Sequence, residues 1–252
     1  MKLAIIIPVY NAENTIRKAV KSIDTTHDVE IICINDGSTD RTKQVLTELQ
    51  KEVKHLIVYH QDNQGAAKSR NMGLSAMSDD IDAFMFLDAD DQFLPGKMDQ
   101  MIQYYEKNDH LDIVIGQIGR GMHGDWKVIP THEDIHREAM VSLAEAPEIL
   151  QSIGPGGKLF KAKFNTLRFD EDVVFCEEHT FVTRAYLMSR DIQLVPFIVY
   201  GYNEREGSIT DQRADTFISY LEDARKVRRE VMDMLLLVNE KAYYSYRMDD
   251  LI

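Results

Sequence analysis

Leu3-Ala4-Ile5-Ile6-Ile7-Pro8 is an unbroken apolar run ended by a proline, and it reads as a strand buried on both faces, the mark of a parallel sheet. Working outward, residues 12–23 carry helical spacing, with Ile16, Ala19, Val20 and Ile23 on one face. Residues 29–34 repeat the buried-strand pattern and stop at Asn35-Asp36-Gly37-Ser38. Ser38 or Thr39 is then placed to cap a helix through Val45, Leu46 and Leu49. Residues 55–59 read as a third strand, 66–76 as a helix and 83–87 as a fourth strand. This alternation predicts a parallel sheet with right-handed crossovers, whose ligands bind beyond the carboxyl ends of the strands. Asn11, Asp36-Gly37-Ser38 and Asp88-Ala89-Asp90-Asp91 each follow a strand directly.

The second half is less regular. Residues 111–118 and 193–200 read as strands, 119–124 and 154–157 as Gly-rich loops, and 216–241 as a long amphipathic helix. A chain of 252 residues holds one large α/β domain, or a core with a small appendage. With 44% apolar and 28% charged residues it has an ordinary globular balance. The formal charge of -13 argues against a nucleic-acid binder, which needs a basic stripe to release phosphate counterions. An acidic protein binds an anionic ligand when a divalent cation mediates. Cys33 and Cys176 have no metal or redox spacing and fit a reducing compartment. The apolar start lacks the length of a signal sequence and no run approaches a membrane span, so a cytoplasmic protein is expected.

The strongest chemical signal is Leu87-Asp88-Ala89-Asp90-Asp91. Crowded carboxylates raise each other's pKa unless a cation sits among them, and their hard oxygens suit Mg²⁺ or Mn²⁺ completed by substrate phosphates. The plainer reading is a solvated acidic turn. Asp36, fixed in an Asp-Gly turn, can accept a hydrogen bond from a base edge such as N3–H of uracil, or simply cap a helix. Gly65-Ala66-Ala67-Lys68-Ser69-Arg70-Asn71-Met72-Gly73 opens a helix with small residues, and Lys68 or Arg70 either faces a nucleotide or is merely solvated. Glu177-Glu178, between Phe175 and Phe181, is a candidate general-base pair whose partial burial raises its pKa, and also a dipole-favoured helix start.

In combination these segments resemble glycosyltransferase family 2. The markers run in the family's order: Ile7-Pro8-Val9-Tyr10-Asn11, Ile34-Asn35-Asp36-Gly37-Ser38-Thr39-Asp40, Asn63-Gln64-Gly65 leading to Ser69-Arg70-Asn71-Met72-Gly73, Leu87-Asp88-Ala89-Asp90-Asp91, and Glu177-Glu178-His179-Thr180-Phe181. Gly157-Lys158-Leu159-Phe160 and Tyr202-Asn203-Glu204-Arg205-Glu206-Gly207-Ser208-Ile209 look like further family segments. The resemblance implies a GT-A fold, a Rossmann-like and mostly parallel central sheet flanked by helices, over residues 1–210, with a C-terminal helical extension over 211–252. It implies an inverting, non-processive enzyme of the bacterial cell envelope, moving a sugar from a UDP-sugar to an acceptor hydroxyl with Mn²⁺ or Mg²⁺.

The residue roles follow from the same resemblance. Pro8, Tyr10 and Asn11 would shape the first loop around the nucleotide, Asp36 would bind uracil, Arg70 would support the base, and Asp88 would contact the ribose. Asp90, with Asp91, would ligate the metal. Glu178 would be the catalytic base, or Glu177 in its place, since the family's usual Glu-Asp pair is Glu-Glu here. Arg205 and Ser208 would close over the pyrophosphate, with Lys158 reaching the same region. The Gln-x-x-Arg-Trp motif of processive synthases is missing. A nucleotidyltransferase would show a basic Gly-rich loop near the N-terminus, which is lacking, and a non-catalytic nucleotide-sugar-binding module is the rival of a different class.

The expected partners are a nucleotide-sugar donor and a glycan or lipid-linked acceptor, with no nucleic acid. Phe217, Tyr220, Leu221, Ala224, Val227, Val231, Leu235 and Val238 recur at helical spacing beside basic Arg225, Lys226, Arg228 and Arg229. Packing on the parent domain is the first expectation for this tail. Self-association into a homo-oligomer, aided by Tyr243-Tyr244-Ser245-Tyr246, is the second, and peripheral contact with the inner face of the membrane the third.

Overall fold

The computed structural model describes residues 1–122, 124–203 and 213–235. The chain runs β1 (Lys2–Val9), α1 (Ile16–Lys21), β2 (Asp28–Asp36), α2 (Thr42–Glu52), β3 (Leu56–Gln61), α3 (Ala66–Ala76), β4 (Ala83–Phe86), β5 (Gln92–Phe93) and α4 (Lys97–Lys107). It continues through β6 (Ile113–Met122), β7 (Asp125–Val128), β8 (Ala139–Val141), β9 (Lys158–Lys161), α5 (Glu177–Met188), β10 (Ile192–Asn203) and α6 (Arg213–Leu235). Among the described residues these strands form one sheet in the order β3-β2-β1-β4-β9-β6-β10-β5, with β7 beside β6 and β8 beside β10.

The first half is the parallel unit that the apolar runs predict: β1 pairs in parallel with β2 and β4, and β2 with β3. Both of its faces are covered. Ala4 and Ile6 join one core with Ile32, Ile34, Phe84 and Phe86, under α3 and α5. Leu3, Ile5 and Ile7 join the other with Ile31, Cys33 and Met85, under α1, α2 and α4. A strand buried on both sides cannot alternate apolar with polar, which is why the run is continuous. Beyond β4 the sheet becomes mixed, because β9 enters antiparallel to both β4 and β6 while β6 and β10 run parallel.

Local details depart from expectation for identifiable reasons. β1 continues through Pro8 to Val9, with Pro8 opposite Ile34. β4 has ended by then, its Phe86 lying opposite Ile6, so proline's missing N–H removes no ladder bond on that side. α2 is capped by neither Ser38 nor Thr39; the Thr42 N–H donates to Asp40 Oδ1 at 2.9 Å. Residues 119–122 are not part of a loop, because β6 runs to Met122 and pairs antiparallel with β7. Glycine is required there by space: a Cβ on Gly121 would lie 2.0 Å from the Asp125 carbonyl oxygen.

α6 packs on α5. Ala224, Val227, Val231 and Leu235 are buried in the same core as Phe181, Val182, Ala185 and Tyr186, and Arg184 of α5 pairs with Glu230. Arg225, Lys226 and Arg229 face outward. Phe217 lies on α6, but its side chain falls outside the described residues, as do Val238 and the 243–246 aromatic segment.

Candidate active site

The loops after β1 and β2 are fastened to each other at the carboxyl edge of the sheet. Asn11, at φ +46°, donates its backbone N–H to Ser38 Oγ (3.0 Å), and its side-chain oxygen accepts from the Thr39 N–H (2.8 Å). Ala12 N–H donates to Thr42 Oγ1, and Glu13 accepts from both the backbone and the guanidinium of Arg41. Asn11 therefore positions the rim. Tyr10, beside it, is 51% exposed, an aromatic face left open to solvent where a ring could stack. Pro8 is half-buried at the base of the same loop.

Asp36, buried at the end of β2, caps the following crossover rather than its own. Oδ1 accepts from Gln61 Nε2 (2.6 Å) and the Gln64 N–H (2.9 Å), and Oδ2 accepts from the Gly65 N–H (2.8 Å). Gly65 holds φ +92° at this turn, a conformation that favours glycine. The close approach that Gly37 permits is to protein: a Cβ there would sit 2.6 Å from the Asn63 nitrogen. Each carboxylate oxygen has two acceptor directions, so Oδ2 retains one for a ligand N–H.

Arg70 is the hub of the site. It is buried on α3, with Nη2 donating to Asp88 Oδ1 (3.0 Å) and Nη1 to Glu177 Oε1 (2.8 Å), and its guanidinium lies 5.4 Å from the Phe169 ring centroid. Burial opposes its charge, but Asp88, Glu177 and Glu178 together hold it protonated more firmly than an ordinary arginine. Next to it, Asn71 exchanges hydrogen bonds with the backbone of Phe169, and Gly73 gives room to Ile6. The 65–73 segment thus fastens the sheet to the start of α5 through the buried Arg70 guanidinium.

The acidic turn is divided by environment. Asp88 is 43% exposed at its side chain, and its backbone N–H donates to the Tyr200 hydroxyl (3.1 Å). That hydroxyl donates in turn to Asp91 Oδ2 (2.8 Å), while Asp91 Oδ1 accepts from the Asn203 N–H (3.0 Å). Asp91, expected to ligate a metal, is instead buried with both oxygens engaged and pins the end of β10 to the turn. Burial, then the charges of Asp88 and Asp90, push its carboxyl up to about 8. Among the described residues no three His, Cys, Asp or Glu side chains converge on one point. Asp90 and Asp88 still supply hard oxygen donors on one turn, the kind of set that holds Mg²⁺ or Mn²⁺ when phosphate oxygens complete the shell.

Glu177 and Glu178 open α5 directly after Cys176, which takes φ +65°. Burial and the neighbouring Glu178 push the Glu177 carboxyl up to about 8, with Arg70 pulling the other way. Lys158, expected to reach the pyrophosphate region, is fully buried on β9. Its Nζ donates to Ser152 Oγ (2.8 Å) and the Gly154 carbonyl (2.5 Å), and Ser152 Oγ meets His132 Nε2 at 2.7 Å. Burial lowers its pKa to about 7, against the pull of Glu178. It fixes the 152–157 loop. Arg205 and Ser208 lie outside the described residues.

The structure therefore joins Arg70, Asp88, Glu177 and Glu178 into one charged group, sets Asp90 beside it, and leaves Asp36 and Tyr10 on neighbouring loops. Tyr200 and Asn203 were missed by sequence reading, although both lie on the strand and segment that carry the next family marker. A concavity of about 590 Å³ lies elsewhere, between α1 and β5, lined by Arg17, Lys18 and Phe93 among others. A second, of about 320 Å³, runs past Gln61, Gln64 and Lys68, beside the turn that Asp36 holds.

Residues 4–175 match the family model described as Glycosyl transferase family 2. A Staphylococcus aureus (strain MSSA476) protein named TagX, and designated a glycosyltransferase, is 37% identical over the whole chain, which covers 72% of that protein. Streptococcus pneumoniae glycosyltransferase GlyA is 30% identical over 98% of the chain, covering 37% of GlyA. Among solved structures, S. aureus TarS 1-349 in complex with UDP-GlcNAc superposes with a TM-score of 0.81 at 21% identity, over 98% of this chain and 72% of that one.

Proposed function

The chain belongs to glycosyl transferase family 2 and is a glycosyltransferase, and on that premise we propose that it transfers a sugar from a UDP-sugar to an acceptor hydroxyl with inversion at the anomeric carbon. The observation that carries this reading is the Arg70 bridge, which joins Asp88 on the strand rim to Glu177 at the head of α5. A nucleotide bound beyond the strands would thereby meet the carboxylate pair at one edge. The UDP-GlcNAc held by the structurally similar TarS supports UDP as the donor nucleotide.

In this reading Tyr10 stacks on the base, Asp36 accepts from its N–H, and Asp88 meets the ribose. Asp90, with Asp88 beside it, would hold a divalent ion, which when bound neutralises diphosphate charge. Glu178 takes the proton of the acceptor hydroxyl as that oxygen bonds to the anomeric carbon. The bond to the diphosphate oxygen breaks, UDP leaves with the electron pair, and the proton stays on Glu178. One displacement from the opposite face inverts the centre. Glu177, tied to Arg70, keeps its neighbour in place. The acceptor we propose is a cell-envelope glycan of the teichoic acid or capsule type, met at the inner face of the membrane. No helix among the described residues is long and apolar enough to cross one.

The donor site is tested by calorimetric titration of UDP, with and without Mn²⁺, into wild type and Asp90→Ala. The expected result is binding that needs the ion and weakens at least tenfold in the variant. Equal affinity in both proteins removes Asp90 from the site.

A further inference from the structure

Residues 170–176 form the segment from which α5 starts, and one flank of α6 holds this segment at three points. The Asp223 carboxylate accepts, through Oδ2, from the backbone N–H groups of both Val174 (2.9 Å) and Phe175 (3.1 Å). Three residues earlier, Tyr220 stacks on Phe175, with ring centroids 5.0 Å apart and planes 14° from parallel. Three residues later, Lys226 Nζ lies 3.3 Å from Asp170 Oδ2. Spacing of three puts Tyr220, Asp223 and Lys226 along one side of the helix, while Ala224, Val227 and Val231 anchor the adjoining face in the core.

The consequence reaches the site through few bonds. Two consecutive N–H groups on one carboxylate oxygen fix the backbone immediately before Cys176, which must adopt φ +65° for α5 to begin at Glu177. A non-glycine residue in that conformation is strained and persists only where its surroundings hold it. Val174 is 77% exposed, so side-chain burial cannot do this at its position. From Cys176 the next two residues are the Glu177-Glu178 pair.

We propose that Asp223 is a positioning residue for the transfer reaction, holding the 174–176 turn so that α6 sets the placement of the Glu177-Glu178 carboxylates. This rests on the reading of that pair as the proton-accepting group. The family match ends at Phe175, so Asp223 lies wholly outside it.

The test compares Asp223→Ala, Asp223→Asn and Glu178→Gln in the full chain, measuring kcat, the KM for donor, UDP affinity and amide exchange of the 174–176 segment. Asp223→Ala is expected to lower kcat about tenfold with donor KM and UDP affinity within twofold, and to speed exchange at Val174 and Phe175. Asp223→Asn keeps one oxygen able to accept both N–H groups, and should restore at least half of the lost rate. Full kcat in Asp223→Ala beside an inactive Glu178→Gln overturns the proposal and leaves the base assignment standing. Full activity in Glu178→Gln overturns the base assignment itself. Should Asp223→Ala not fold, Tyr220→Ala removes a second hold on the same turn. A several-fold loss of kcat at unchanged UDP affinity supports the proposal, and wild-type kcat with wild-type exchange overturns it.

Discussion

Glu178→Gln lowers kcat by about 10²–10⁴-fold, the usual worth of a positioned general base, and leaves UDP affinity close to wild type. The amide preserves side-chain size and removes only the ability to take a proton, so the loss falls on the chemical step. Both values come from a UDP-release assay and a UDP titration on the same preparation. The neighbouring Glu177 gives stability a pH dependence. Burial and then Glu178 hold the Glu177 carboxyl up to about 8, so the folded chain keeps that proton where an unfolded one sheds it. Stability should therefore decline as the pH rises towards 8, and Glu177→Gln should flatten that decline in urea unfolding. A wild-type rate in Glu178→Gln takes this residue out of the chemistry.

Arg70→Met should be the most damaging single change to the scaffold of the site. It leaves the Glu177 side chain, 12% exposed, without the cation that it pairs with among the described residues, and frees Asp88 as well. Breaking a buried pair by removing one partner costs about 3–5 kcal/mol; the figure here belongs at the low end, because Asp88 is 43% exposed and water screens it. Activity should fall below detection, since neither carboxylate keeps its orientation. Arg70→Lys should rescue little. An ammonium carries one point charge where the guanidinium fork reaches two carboxylates at once. Urea unfolding with parallel UDP-release rates checks both claims, and Arg70→Met within 1 kcal/mol of wild type with measurable turnover would contradict them.

The parallel half of the fold is legible in the sequence because β1, β2 and β4 are covered on both faces, which turns each into a continuous apolar run. The mixed half is not. β9 is only Lys158–Leu159–Phe160–Lys161, too short to show a period, yet it sits between β4 and β6 and reverses the pairing. Gly119 and Gly121, which look like loop punctuation, serve packing against a neighbouring strand instead. Gly201 is similar, since a Cβ there would lie 2.7 Å from the Trp126 ring.

At the site, residue types were legible and partners were not. Arg70 and Glu177 stand 107 positions apart, and nothing local in either segment says that they touch. Asp91 looks like Asp88 and Asp90 in sequence; only the arrival of Tyr200 and Asn203 from β10 turns it inward. Lys158 carries a charge, but its place on a buried strand ties it to Ser152 and Gly154, partners that its own segment does not announce. Asp223 shows no signal at all, because its partners are backbone amides that any sequence possesses.

The most direct test of sugar transfer from UDP is release of UDP from a panel of UDP-linked sugars, with Mn²⁺ present and water or a polyol phosphate oligomer as acceptor. Sugar transfer from UDP requires that wild type release UDP from at least one donor, faster with the acceptor, and that Glu178→Gln bind the same donor without releasing it. Wild-type protein that binds UDP tightly yet frees none from any sugar would contradict it, and would mark this chain as a nucleotide-sugar-binding module.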